Sequence, residues 1–131
     1  MVVFAVFFHY GDVWKDASAK TFLAQELPLI LMSKSEDELL KRASPELRSF
    51  RHDALERSFS DLQRLGRLLR YEGAEGHAEI FSRDDQADAL VASYTARARF
   101  EHGEAQIAVG LIRQRGQWQF TSFTITSSGF S

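Results

Sequence analysis

The chain has 131 residues and no cysteine, with 44% hydrophobic residues, 26% charged residues and 16 Lys+Arg against 18 Asp+Glu. This is the balance of one globular domain, and a chain of this size buries roughly two thirds of the surface it would expose unfolded, so no disulfide or metal staple is required. Thiolate chemistry and Cys-based zinc sites are excluded, and a formal net charge of −2 supplies no field for nucleic acid.

Residues 1–11 read as a separate apolar segment and 12–131 as a single domain. The run from Val2 to Phe8 is too short to cross a membrane, which takes about 20 residues, and it lacks the basic region that precedes a signal-peptide core. Two readings stand. Either the run packs on the domain as a first strand or helical turn, or it is the trailing end of a membrane anchor, with Tyr10 and Trp14 as interfacial aromatics.

From Asp12 to Leu31, residues Val13, Ala17, Ala24, Leu27 and Leu31 recur at helical spacings with Phe22, Leu23 and Ile30 beside them. The pattern predicts a buried amphipathic helix that Pro28 kinks or divides. Ser35-Glu-Asp-Glu38 matches a capping box and predicts a short helix from Glu36 to about Ala43. Ser44-Pro45 then supplies an N-cap and a first helical residue for the next one. Leu55, Phe59, Leu62, Gly66 and Leu69 form the clearest stripe, with Asp53, Arg57 and Arg64 opposite. Within it, Gly66 marks the helix end or a close backbone approach.

After Gly76 the period becomes two. His77 to Ser82 is the first expected strand, and the acidic stretch Asp84, Asp85 and Asp88 reads as a polar hairpin loop. Leu90, Ala92, Tyr94, Ala96, Ala98 and Phe100 then alternate with Val91, Ser93, Thr95, Arg97 and Arg99. Ala105, Ile107, Val109 and Leu111 repeat the device after a turn at His102-Gly103. A second turn at Arg115-Gly116 leads to Trp118, Phe120, Phe123 and Ile125. The three-residue step from Phe120 to Phe123 predicts a β-bulge. Thr126 to Ser131 reads as a polar tail. The expected fold class is α+β, with N-terminal helices on the concave face of a curved four-stranded antiparallel sheet.

Three stretches carry a family resemblance. They are Leu39-Leu-Lys-Arg-Ala-Ser-Pro-Glu-Leu47, then Leu62-Gln-Arg-Leu-Gly66 with Tyr71-Glu-Gly73, and finally Phe100-Glu-His-Gly103 leading to Gly116-Gln-Trp118. Together, over roughly residues 20 to 127, the chain resembles a group of small, mostly uncharacterised bacterial domains in the nuclear-transport-factor-two-like, or cystatin-like, superfamily. The resemblance implies a cone-shaped fold and an exported protein anchored at the outer side of the bacterial inner membrane, the alternative being a cytoplasmic one. It carries no catalytic residues over, and the matching positions are caps, turns and core aromatics.

Superfamily enzymes place an Asp, His or Tyr inside the cone for proton transfer, so the inward positions decide the question. Tyr94, Phe100, Ile107, Val109, Leu111, Trp118 and Phe120 are the expected lining of a pocket for a small apolar ligand. Tyr94 is its one polar tip, more simply read as a core aromatic. No catalytic residue is assigned. An isomerase- or dehydratase-like alternative would use Tyr94 as donor with His77 or Asp12 as base at the cone mouth. The four histidines, His9, His52, His77 and His102, lack metal-site spacing, and neither a metal nor a cofactor is expected. Arg97, Arg99, Gln106, Gln114 and Thr121 are the candidate interface on the outward sheet face, either as a solvated surface or as the contact of a homodimer. The expected function is therefore a non-catalytic small-molecule- or protein-binding module, touching a membrane only through its N-terminal anchor.

Overall fold

The computed structural model describes residues 2–49, 53–81 and 89–128, and the side chains at 2–16, 79–81, 89 and 128 lie outside that description. Among the described residues four helices come first: α1 (Val2–Ser33), α2 (Glu36–Leu40), α3 (Pro45–Ser49) and α4 (Asp53–Leu65). Four strands follow: β1 (Leu68–Phe81), β2 (Ala89–Phe100), β3 (Gly103–Gln114) and β4 (Gln117–Ser128). They form one open antiparallel sheet in chain order. This is the α+β layout that the switch of hydrophobic period implied.

Helix α1 continues through Pro28, so no new segment starts there. Proline removes one backbone donor, and the fully buried Leu23, Leu27, Ile30 and Leu31 on both sides of it outweigh that loss. Its buried stripe runs through Ala19, Leu23, Leu27 and Ile30, whereas Ala17 and Ala24 are exposed. The helical period was right and its phase was rotated, because two alanines weigh little against the larger side chains.

Helix α2 ends at Leu40, short of Ala43, and Ser35 makes no side-chain capping bond. The other half of the expected capping box is engaged elsewhere. The Glu38 carboxylate accepts from Lys41 Nζ at 3.0 Å and from Arg42 Nη1 at 3.0 Å. Arg42 also donates to the Glu38 carbonyl at 2.6 Å and to Glu26 Oε1 at 3.3 Å, joining the end of α2 to α1. Ser44 does cap α3, its Oγ accepting the Leu47 N–H at 3.3 Å.

On α4 the buried stripe is Leu55, Phe59, Leu62 and Leu65, with Ser58 beside it. Leu69, which the spacing had placed on this stripe, lies in β1 and is 54% exposed. The helix stops because Gly66 takes a positive φ of 82°, and it stops against another segment. The β2–β3 turn donates from the His102 N–H to the Leu65 carbonyl at 2.9 Å and from the Glu101 N–H to the Arg67 carbonyl at 3.0 Å. In return the Arg67 N–H donates to Glu101 Oε1 at 2.7 Å. A Cβ at Gly66 would lie 2.8 Å from His102 Cδ2, so the glycine marks the helix end as expected, and what approaches its α-carbon is the side chains of Glu101 and His102 rather than another backbone.

Strand β1 begins at Leu68 rather than His77. Register shifts at Leu68/Arg70 and Tyr71/Ala74 break the alternation by which a strand is recognised. Strands β2 and β3 bury the residues that alternation selected, including Ala92, Tyr94, Ala96, Ala98 and Phe100 on β2 and Ala105, Ile107, Val109 and Leu111 on β3. Their partner hairpin closes through Arg115 (φ 54°) and Gly116 (φ 79°), two positive values whose twist suits adjoining strands. The expected bulge is present: Gly110 pairs with Ser122 and Leu111 with Phe120, leaving Thr121 as the extra residue. Residues Thr126 to Ser128, expected as tail, extend β4 because β3 still offers partners down to Glu104.

The free edge of β4 is covered by the helical half. The Phe120 N–H donates to the Arg42 carbonyl and its carbonyl accepts the Ser44 N–H, both at 2.8 Å. Further along, the Ile125 N–H donates to the buried Ser58 Oγ at 3.2 Å. Behind this edge the aromatic rings meet. Phe22 lies 5.4 Å from Phe120, Phe59 stacks on Phe123 at 5.4 Å, and Phe120 meets Phe123 edge-on at 6.5 Å.

Two substitutions test this arrangement by urea denaturation. Phe120→Ala, which empties a fully buried site, is expected to cost about 3–5 kcal/mol. Gly66→Ala is expected to cost more than about 1 kcal/mol, because alanine at a positive φ is strained and the site is closed by the neighbouring turn. A loss below that value would contradict the Gly66 junction.

Candidate functional site

The alternation of a strand divides the candidate residues between two environments. Tyr94, Phe100, Ile107, Val109, Leu111 and Phe120 are all at most 3% exposed and belong to one cluster with Leu23, Leu27, Leu55, Phe59 and Leu62 from the helices. Trp118 packs at the margin of this cluster and donates from Nε1 to Ser18 Oγ at 2.9 Å. The expected pocket lining is thus brought together, with helix side chains among it.

The proton-transfer constellation is not brought together. His77 pairs with Ser93, which is exposed, whereas Tyr94 on the adjacent register belongs to the buried cluster. Consecutive strand residues face opposite sides, so the Tyr94 and His77 side chains stand on different faces of the sheet. Asp12 falls in α1 where side chains lie outside the described residues, as does that of His9. His52 and the acidic stretch Asp84 to Asp88 lie outside the described residues altogether. His102 is in the β2–β3 turn and exposed, as its position next to Gly103 implied.

On the outward face, Arg97, Arg99 and Gln106 come together. Arg97 pairs with Gln106, and Arg99 pairs with Glu104 and donates to its carboxylate at 2.8 Å. Gln114 belongs to the far hairpin, eight strand positions from Gln106, or roughly 27 Å at the rise of an antiparallel strand. Thr121 sits in the bulge between them. The five residues share a face but do not form one patch.

Between these two ends lies an open depression of about 380 Å³, which the sequence reading did not single out. Glu75 and His77 border it from β1, Ser93 and Thr95 from β2, Ala108 and Gly110 from β3, and Ser122 and Thr124 from β4, and the intervening Gly76, Tyr94 and Val109, whose side-chain positions face the core, also line it. Two cross-strand rows produce it, His77–Ser93–Gly110–Ser122 and Glu75–Thr95–Ala108–Thr124. Small side chains along both rows leave the sheet surface low. Gly110 leaves room there: a Cβ would stand 2.6 Å from Thr121 Oγ1 and 2.7 Å from Ser122 Oγ, two hydroxyls that the bulge brings over it and that would have to rotate away. The row through Ser93 and Gly110 could have been found by counting back from the two-residue turn after Phe100.

The charged groups with shifted titration are structural. Hydrogen bonds from Lys41 and Arg42 hold the Glu38 carboxyl below its ordinary range, and burial pushes the Tyr71 phenol up. The Arg67 backbone N–H, aided by the Arg67 charge, holds Glu101 below the usual carboxylate range. Among the described residues, no group of three or more His, Asp or Glu is placed to hold a metal ion, and no helix is long and apolar enough to cross a membrane. No protein-family model matches the chain, and neither the curated proteins nor the solved structures yield a match.

Because Glu101 is lowered in the folded state, its stabilising contribution is complete above the ordinary glutamate range and is lost as the pH falls through the lowered value. The melting temperature of Glu101→Ala is therefore expected to lie below that of the parent at pH 7, and the gap to close as the pH falls below about 4. A gap independent of pH would assign the effect to something other than the carboxylate. In the depression, Gly110→Ala is expected to cost about 1 kcal/mol, read from denaturant midpoints, because Thr121 and Ser122 must turn away. An unchanged midpoint would mean that the two hydroxyls turn away without cost.

Proposed function

We propose that the chain is a non-catalytic binding module of the cystatin-like kind, whose helices occupy the concave face of the sheet and whose outward face is its working surface. The observation that carries this reading is the division of the two faces. Among the described residues, the core-facing side chains of β2, β3 and β4 are buried in one cluster with helix side chains, while an open depression is bordered by residues that alternate with them. An isomerase-like reading draws no support from this division, since Tyr94 and His77 do not share a face.

The partner proposed for the outward face is a second copy of the chain. Four strands of 12 to 14 residues present roughly 800 Å² at ordinary strand spacing, which is the area each partner of a stable complex commonly buries. Charge favours like meeting like. Arg99 is paired within the chain with Glu104, and Arg97 and Glu75 stand with opposite sign on neighbouring strands, Glu75 at the border of the depression. A twofold pairing can set each against the other twice, and the small residues between them let two sheets approach closely. The run from Val2 to Phe8 forms the first turns of α1 itself, and its unbroken apolar character is the basis for proposing a tether at the outer side of a bacterial inner membrane.

Analytical ultracentrifugation tests the pairing. The parent chain is expected to dimerise, Arg97→Glu and Glu75→Arg each to weaken the dimer about tenfold, and the double charge swap to restore it. A parent chain that stays monomeric up to about 0.1 mM, or a double swap no better than the singles, would overturn the reading. For the tether, fractionating cells that express the natural gene product is expected to place it with the inner membrane, and recovery in the cytoplasmic fraction would contradict it.

A further inference from the structure

We draw no further inference here: the strongest candidate, the open depression on the outward sheet face between His77, Ser93, Gly110 and Ser122, is a stripe of small residues beside which nothing in the structure points to a ligand, and it belongs to the surface already proposed for pairing.

Discussion

The fold depends on how one edge strand is closed. Strand β4 would otherwise present a row of unpaired backbone groups, and an uncovered edge invites pairing with foreign strands. The short joint between α2 and α3 prevents this at Phe120, where both backbone groups are bonded to Arg42 and Ser44. The same residue buries its ring against Phe22 and Phe123. Backbone closure and aromatic packing therefore meet at one position. The charges follow: Arg42, whose carbonyl accepts the Phe120 N–H, spends its side chain on Glu26 and Glu38, which fixes where α2 ends relative to α1.

From that closure the rest of the sheet can be traced. Immediately after Phe120 the bulge at Thr121 inserts one residue, so that Phe123 and Ile125 return to the core instead of turning outward. Without it, the period of two would expose both. The same insertion carries Thr121 and Ser122 over Gly110 and shapes the low centre of the outward face. A device that serves the core thus also models the opposite surface, which links the packing of the helices to the face proposed to bind.

The sequence was most informative where side-chain period and turn chemistry agreed. Alternation from Leu90 to Phe100 and from Ala105 to Leu111, joined by glycine-containing turns, located β2, β3 and their buried faces, and the three-residue step after Phe120 announced the bulge. Legibility failed where a local rule lost to tertiary packing. Pro28 did not divide α1 because the leucines and isoleucine around it are buried together, and Ser35-Glu38 did not form its capping box because Arg42 and Lys41 hold the glutamate. Strand β1 was hidden in its first half by register shifts that no period can express. The depression was hidden for a related reason: it is made by four strands in register, and only the β2–β3 pairing can be counted from a turn without knowing the bulge or the β1 partners.

The functional account therefore turns on which face of the sheet is open. Among the described residues, Leu23, Leu27, Phe59 and Leu62 share one buried cluster with Tyr94, Ile107 and Phe120, and on the proposed reading these helix side chains take the place of an apolar guest. Native mass spectrometry of the purified chain tests this most directly, because one spectrum reports both subunit number and any retained small molecule. The account predicts a dimer that carries no additional mass. A monomer that holds a small apolar molecule and releases it on denaturation would contradict it, returning the working site from the outward face to the interior.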